Sequence, residues 1–171
     1  MGERSQIYIR YKDNGLLAYQ MKYVDGPGLV DMLLYVADHR DELLKGGDDQ
    51  FLIGENILSQ PSTDINQDGM QESHYPSIWN RSNQCGKLFI DIGIDGAIKY
   101  CFTDSENSYP PGNQSPLDVE GYLDWCRTTY DGDPTWKYSP ETYRERIEKY
   151  SLLSLEELIR FIDPPYEKEK V

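Results

Sequence analysis

The segment KLFIDIGIDGAIKYCFTD, residues 87–104, constrains the fold of this chain more than any other stretch. Residues of high β-propensity flank Asp95-Gly96 on both sides, which predicts two strands joined by a tight turn. A two-residue loop would mix polar and apolar side chains on both faces, whereas a three-residue loop of Ile94, Asp95 and Gly96 leaves one face apolar. We therefore predict the three-residue loop, with Gly96 in the left-handed conformation.

This register predicts one apolar face and one polar face for the hairpin. The apolar pairs are Ile92 with Ile98, Ile90 with Tyr100, and Leu88 with Phe102. On the other face Asp91 lies opposite Lys99, which predicts a cross-strand ion pair. We expect the hairpin to form the core of the fold and its acidic residues to be structural.

The N-terminal segment SQIYIRYKDNGLLAYQMKY, residues 5–23, predicts a second hairpin by the same test. A three-residue loop of Asp13, Asn14 and Gly15 again separates the faces. The apolar pairs are then Tyr11 with Leu17, Ile9 with Tyr19, and Ile7 with Met21. The more polar face carries Tyr8, Arg10, Ala18 and Gln20.

Helical periodicity follows each hairpin. Apolar residues at helical spacing predict a long helix from about residue 29 to 45, and the C-terminal third predicts helices over 116–129, 139–150 and 154–162. Ser154 and Glu157 have the spacing of a capping box. Residues 51–58 fit either a strand or helical turns, and 59–83 have the composition of a loop.

These elements predict an α+β fold. We expect an antiparallel sheet built from two β-hairpins, covered by a long amphipathic helix and a helical C-terminal third. The chain length fits one domain, which we assign to residues 1–163, followed by a charged flexible tail at 164–171.

The negative charge is concentrated in the middle of the chain. The net charge is −13, and residues 25–133 alone carry six basic and twenty acidic residues, a net of −14. A field of this sign repels nucleic acid and attracts basic surfaces, so we expect no direct contact with nucleic acid. Solubility is the alternative explanation of the same charge.

Composition indicates a cytoplasmic protein. There is no apolar run of about 20 residues to cross a membrane, and the opening MGERSQIYIRY lacks the apolar core of a signal peptide. The three cysteines, Cys85, Cys101 and Cys126, form no CxxC pair, which is typical of a reducing compartment.

Two metal sites are considered. The pattern Asp64, Asn66, Asp68 followed by Gly matches the start of a calcium loop, and Glu72 supplies one further carboxylate. The twelfth position is Tyr75 instead of the required Glu, so a polar turn without an ion is the competing interpretation.

A zinc site is the second possibility. His74 and Cys85 flank the 59–83 segment and are potential ligands. No nucleophile elbow, P-loop, GxGxxG or HExxH is present, so we expect binding rather than catalysis, and no cofactor beyond such a calcium or zinc ion.

The opening GERSQIYIRY, followed by a hairpin and a helix, resembles the start of small proteins encoded by phages and prophages of Firmicutes. The chain also resembles anti-CRISPR inhibitors in size, charge and lack of enzymatic motifs. This resemblance implies a protein that acts in the cytoplasm of a bacterial host and binds a host defence protein.

The function we predict is inhibition by an acidic surface. The partner is a basic, nucleic-acid-handling host protein such as a CRISPR effector nuclease, and salt should weaken its binding. The predicted contacts are Asp38, Asp41, Glu42, Asp48, Asp49, Asp118, Glu120 and Asp124. One alternative is a metal-dependent hydrolase or metal-stabilised protein that uses the 64–75 loop or the His74–Cys85 pair. Another is a phage accessory protein that self-associates through a Tyr-rich surface, since the chain has 14 tyrosines.

Overall fold

A computed structural model describes residues 4–11, 15–22, 26–45, 50–59, 65–71, 86–103, 116–129 and 140–162. Six strands and six helices lie in these ranges. The strands are β1 Arg4–Tyr11, β2 Gly15–Lys22, β3 Ile65–Gln71, β4 Lys87–Ile92, β5 Ile98–Thr103 and β6 Ser151–Leu152. The helices are α1 Gly26–Asp38, α2 Arg40–Leu44, α3 Gln50–Ser59, α4 Val119–Thr129, α5 Pro140–Ile147 and α6 Leu155–Ile162.

The strands form one mixed sheet in the order β3-β2-β1-β4-β5-β6. Neighbouring strands pair antiparallel except at two places, where β1 pairs with β4 and β5 pairs with β6 in parallel. The α+β class is therefore correct, but the prediction of an antiparallel sheet is wrong. A long connection through α1, α2, α3 and β3 returns the chain to the free side of β1, and β4 runs there in the direction of β1.

The β4–β5 hairpin has the register that the sequence predicts. Ile92 lies opposite Ile98, and Asp91 lies opposite Lys99. The loop is closed by the Gly93 N–H, which donates to the Ala97 carbonyl at 2.9 Å, and Gly96 has a φ of 85°. Gly96 therefore supplies the left-handed residue that a three-residue loop needs.

The N-terminal hairpin has the predicted faces but not the predicted pairs. Tyr11 lies opposite Gly15 and Ile9 opposite Leu17, a shift of two residues from the predicted register. Strand side chains alternate with a period of two, so a two-residue shift keeps every side chain on its own face. The hydrophobic pattern therefore does not distinguish the two registers.

The predicted long helix is divided in two at His39. The His39 N–H is shared between the carbonyls of Tyr35 and Val36, at 3.1 and 3.2 Å, and the residue leaves helical geometry with φ −113° and ψ 17°. Its ring Nδ1 lies 2.8 Å from the Tyr35 carbonyl. Such local bonds compete with the helical ladder, and α2 starts as a new short helix at Arg40.

The structure assigns secondary structure to two segments that the sequence left open or predicted incorrectly. Residues 50–59 form α3, so the helical alternative is correct. The predicted loop 59–83 contains β3, which pairs antiparallel with β2, so that part of the loop assignment is wrong. Its polar sequence INQDGMQ has no alternation from which a strand is recognised.

The C-terminal third contains three helices and an unpredicted strand. The helix expected from Pro116 begins at Val119, because Leu117 first forms an antiparallel bridge with Phe102. At α6 the predicted capping box is present: the Ser154 N–H donates to Glu157 Oε1, and the Glu157 N–H donates to Ser154 Oγ, both at 3.1 Å. The tail at 164–171 lies outside the described residues.

Both faces of the central strands are buried. We call the face that lies under α1 and α4 the helical face; its side chains, which include Ile7, Ile9, Leu88 and Ile90, belong to the main hydrophobic cluster. The opposite side is the second face, and these side chains lie outside that cluster. Its fully buried residues are Gln6, Tyr8, Lys87, Phe89, Cys101 and Thr103.

Candidate functional site

Six of the eight acidic residues predicted to bind a partner are described, and all six are exposed. Asp48 and Asp49 lie outside the described residues. We name the six the helical acidic surface: Asp38, Asp41, Glu42, Asp118, Glu120 and Asp124.

The helical acidic surface lies on helices that pack on the same side of the sheet. Asp38 ends α1, and Asp41 and Glu42 begin α2. Asp118 and Glu120 lie at the start of α4, and Asp124 lies in its middle. Helices α1 and α4 contact each other, and both contribute to the cluster over the helical face. The two groups of acids therefore project from one helical layer.

The α1–α2 acids differ from those of α4 in their partners. Within the described residues the side chains of Asp38, Asp41 and Glu42 form no hydrogen bond or ion pair. On α4, Asp118 Oδ1 accepts a hydrogen bond from the Gly121 N–H at 2.8 Å, and Glu120 Oε1 lies 3.4 Å from an exposed Arg144 nitrogen. Asp118 therefore caps the helix, whereas the α1–α2 acids have no bonded partner. Arg40 and Lys45 lie among them, so residues 38–45 carry a net charge of −1.

The turn of the β4–β5 hairpin lies against α2. A Cβ placed on Gly96 would be 3.6 Å from Arg40 Nε and 3.9 Å from Leu44 Cδ1. At the tip of the turn, Asp95 is exposed and Ile94 is 74% exposed. The turn therefore lies against the side of α2 that carries Arg40 and Leu44.

The second face contains a polar row that sequence reasoning missed. The Tyr8 hydroxyl donates to Gln6 Oε1 at 2.9 Å, and the Tyr8 ring stacks on Phe89 with centroids 4.9 Å apart. Lys87, beside Gln6 in the ladder, is completely buried. The two aromatic residues on an otherwise polar face were the available signal that this face is covered.

Lys99 forms its ion pair with a residue far along the chain. Its Nζ lies 2.6 Å from Glu157 Oε2, at the first turn of α6. Lys99 therefore pairs with Glu157 and not with Asp91, the partner that the sequence predicts. Asp91 attracts Lys99 more weakly, which also raises the Lys99 pKa. Hydrogen bonding and charge attraction by Glu157 raise the pKa of Lys99, and the Lys99 hydrogen bond lowers the pKa of Glu157. Because Lys99 belongs to the second face, this pair brings α6 to that side of the sheet.

Both described cysteines are buried, and burial makes Cys101 a poor nucleophile. Cys101 and Cys126 are free thiols and both are buried. Burial raises the pKa of Cys101 well above its ordinary value, and burial likewise raises the pKa of Tyr100 to about 12. Neither group ionises near neutral pH, so neither provides a reactive anion.

The calcium pattern does not lie in the kind of loop that it requires. Asn66 and Asp68 are in β3, next to an irregularity in its pairing with β2. The backbone of a strand is extended, whereas a calcium loop coils around its ion, so residues 66 and 68 do not have the conformation of such a loop. Asp64, Glu72, His74 and Cys85 lie outside the described residues, and among the residues that the structure describes no three His, Cys, Asp or Glu form a metal-binding group.

No family model matches the chain, and no curated protein and no solved structure is detectably similar to it. Among the described helices, none combines the length and the apolar character needed to span a bilayer.

Proposed function

We propose that this protein is a binding inhibitor whose helical acidic surface occupies a basic, nucleic-acid-handling surface of a host protein. The observation that supports it best is the group of exposed acids at the α1–α2 junction. Three exposed carboxylates, those of Asp38, Asp41 and Glu42, lie within five residues and have no side-chain partner in the described part of the chain. Basic side chains of a partner would pair with these carboxylates.

A groove that binds nucleic acid is the appropriate basic surface. Such grooves hold Lys and Arg in fixed positions to meet a phosphate backbone, and carboxylates fixed on packed helices present negative charge in a similarly rigid way. In RNA-guided nucleases the guide–target duplex lies in a positively charged channel. A CRISPR effector nuclease is therefore the partner class that we propose, and the bacterial cytoplasm is the compartment where the two would meet.

The alternatives have weaker support. Self-association through a Tyr-rich surface would need exposed rings, but none of the eight described tyrosines is exposed. Five are buried, and Tyr11, Tyr35 and Tyr150 are half-buried. The metal alternative depends on residues of which only Asn66 and Asp68 are described, and both lie in a strand.

The test is charge reversal measured against a matched control. The triple variant Asp38→Lys, Asp41→Lys, Glu42→Lys is compared with Glu141→Lys, Glu145→Lys, Glu148→Lys. The control changes the net charge equally, at exposed positions on α5 and directly after it. Binding to a panel of purified effector nucleases is measured by calorimetry without guide RNA. We expect the first variant to weaken binding at least about tenfold and the control to weaken it only about two- to threefold through net charge.

Salt and nucleic acid provide two further checks. Raising ionic strength from about 50 to about 300 mM should weaken binding strongly, because exposed charges are screened over shorter distances. Guide RNA or target DNA should compete with the protein. Equal losses in the two variants, or an affinity that does not depend on salt, would overturn the proposal.

A further inference from the structure

The junction of α1 and α2 carries charges of both signs. Residues 38–45 have a net charge of only −1, from Asp38, Arg40, Asp41, Glu42 and Lys45. Attraction of this segment to a basic surface therefore depends on the directions in which its carboxylates point more than on their sum. The break in the helix at His39 lies between Asp38 and the two acids of α2, so it influences those directions.

The residue types around the break do not explain it. Helices commonly end at Gly or Asn, or shortly before Pro, and the segment VADHRDELL at 36–44 contains none of these. Helical spacing of the apolar residues predicts one continuous helix through this segment. Side-chain interactions, and not backbone preference, therefore end α1.

Two side chains bond to carbonyl groups at the end of α1. His39 Nδ1 lies 2.8 Å from the Tyr35 carbonyl, and because a carbonyl only accepts, Nδ1 carries the hydrogen. Arg40 Nη1 donates to the Ala37 carbonyl at 3.3 Å. In a continuous helix, that carbonyl would accept from the Asp41 N–H. His39 and Arg40 therefore cap the C-terminal end of α1 together.

The position of Arg40 shows why a continuous helix is disfavoured. In such a helix Arg40 would follow Leu33 by seven residues and Val36 by four, so it would lie on their face. Both of these side chains are fully buried, and a guanidinium group among apolar side chains costs free energy. In the structure Arg40 is half-buried, and its Nε would lie 3.6 Å from a Cβ on Gly96. The break therefore directs Arg40 to the β4–β5 turn.

We infer that His39 and Arg40 form a conformational device that fixes the direction of Asp41 and Glu42 relative to Asp38. In a continuous helix these acids would lie three and four residues after Asp38, where a partner would meet one cluster on one helix face. The break changes this arrangement, and the Lys and Arg side chains of the partner must match it. This inference rests on the proposed function and specifies what the partner must present.

Two double variants of equal charge separate arrangement from charge. The variant His39→Phe, Arg40→Leu keeps an aromatic ring to stack on Tyr35 but removes both side-chain donors. The variant His39→Asn, Arg40→Gln keeps an N–H donor at each position. Each loses one positive charge, which changes the net charge from −13 to −14. The single variants His39→Phe and His39→Asn repeat the comparison with Arg40 in place.

Charge and arrangement predict opposite changes in affinity. Charge alone predicts that both double variants bind a basic nuclease at least as tightly as the wild type, because both are more acidic. We expect His39→Phe, Arg40→Leu to bind the nuclease about three- to tenfold more weakly, and the Asn–Gln variant to bind no more weakly than the wild type. Calorimetry against the same panel measures this. Poly-L-lysine offers charge without a fixed arrangement, and neither variant should bind it more weakly.

NMR tests the structural part independently of any partner. Backbone chemical shifts of residues 38–42 should become continuously helical in His39→Phe, Arg40→Leu and should stay as in the wild type in His39→Asn, Arg40→Gln. Thermal melting of each variant establishes that the fold is retained. We expect this because leucine at position 40 suits the apolar face of a continuous helix.

The contrary results are distinguishable. An unchanged break in His39→Phe, Arg40→Leu would overturn the inference, and so would a nuclease affinity equal to or higher than that of the wild type. If the triple charge reversal still weakens binding in that case, the proposed function is retained. If the charge reversal has no effect, or if no nuclease in the panel binds, both proposals are overturned.

Discussion

The two faces of the sheet are both buried, but their chemistry differs. On the helical face, Ile9, Ile90 and Tyr100 lie side by side across three strands and belong to the main hydrophobic cluster. One residue earlier on β1 and β4, Tyr8 stacks on Phe89 on the second face. Two residues before Tyr8 and Phe89, the next row of the second face contains only polar side chains. The fully buried members of this row are Gln6, Lys87 and Thr103.

The difference shows how the strand register is specified. A slip of one residue on β4 would move Lys87 into the helical core and would move Leu88, Ile90 and Ile92 onto the second face. Burying an ammonium group among apolar side chains costs several kcal/mol, and the loss of aliphatic packing in the helical core has a comparable cost. The polar row of the second face and the apolar side chains of the helical face therefore specify the register together.

The largest expected effect tests whether the second face is a true core. Phe89→Ala should destabilise the fold by about 3–5 kcal/mol and Ile90→Ala by about 2–5 kcal/mol, since each leaves a cavity in packed surroundings. Both side chains are fully buried, one on each face. The measurement is the free energy of unfolding from urea denaturation. A loss below about 1 kcal/mol for Phe89→Ala would mean that the second face is loosely covered, and the comparison would fail.

The second prediction concerns the hydrogen bond between Tyr8 and Gln6 on the second face. Tyr8→Phe removes the donor to Gln6 Oε1 inside the protein and should cost about 1–3 kcal/mol, because a buried acceptor loses this partner. Tyr100→Phe is the control on the helical face, where the hydroxyl only meets the Val119 N–H at 3.4 Å. We expect the control to cost less than Tyr8→Phe. Equal losses of stability would show that the Tyr8–Gln6 hydrogen bond contributes no more than the longer Tyr100–Val119 contact.

The turn between β4 and β5 gives the third prediction. Gly96 has a φ of 85°, so Gly96→Ala should cost about 1–2 kcal/mol, the penalty for a side chain in the left-handed region. Gly15 lies in β2 opposite Tyr11, and Gly15→Ala should change stability by less than about 0.5 kcal/mol. Chemical denaturation of both variants measures this difference. A similar large cost at Gly15 would restore the register that the sequence predicted for the N-terminal hairpin.

That pair of glycines also explains what the sequence was able to predict. In the central hairpin, Asp95-Gly96 and the apolar alternation specify the same loop, and the register is correct. In the N-terminal hairpin, the loop expected at Asp13-Asn14-Gly15 is displaced by one position, to residues between Tyr11 and Gly15. The faces of both hairpins could be predicted from the apolar alternation. A two-residue shift leaves those faces unchanged, so only the turn residues could indicate the register. In the N-terminal hairpin they indicated the wrong register.

Local sequence patterns could not predict the order of the strands in the sheet. The β1–β4 and β5–β6 pairings join residues distant in sequence, and no repeat or turn signal links them. For the candidate surface, helical periodicity correctly indicated that Asp38, Asp41 and Glu42 would be exposed. The contact of the hairpin turn with α2 depends on tertiary packing, so the sequence did not predict it.

The smallest effect compares two ion pairs on opposite sides of the sheet. Glu157→Gln removes the charge that meets Lys99 but keeps the capping geometry, since Gln also serves in a capping box. We expect a loss of about 0.2–1 kcal/mol at neutral pH. Glu120→Gln, which breaks the longer Glu120–Arg144 contact of 3.4 Å, should be close to neutral.

The pH dependence distinguishes the Lys99–Glu157 pair from a capping effect. The folded-state pKa of Glu157 lies below its ordinary value of 4.5, so its contribution is fully present above pH 4.5 and is lost as pH falls through the folded pKa. The pKa of Lys99 is raised above 10.5, so its contribution is present below that pH and is lost as pH rises through the folded pKa. The stability difference between wild type and Glu157→Gln should therefore be constant between these limits and vanish outside them. A difference that persists in acid would mean that Gln caps α6 poorly, and that the ion pair contributes little to holding α6 against the second face.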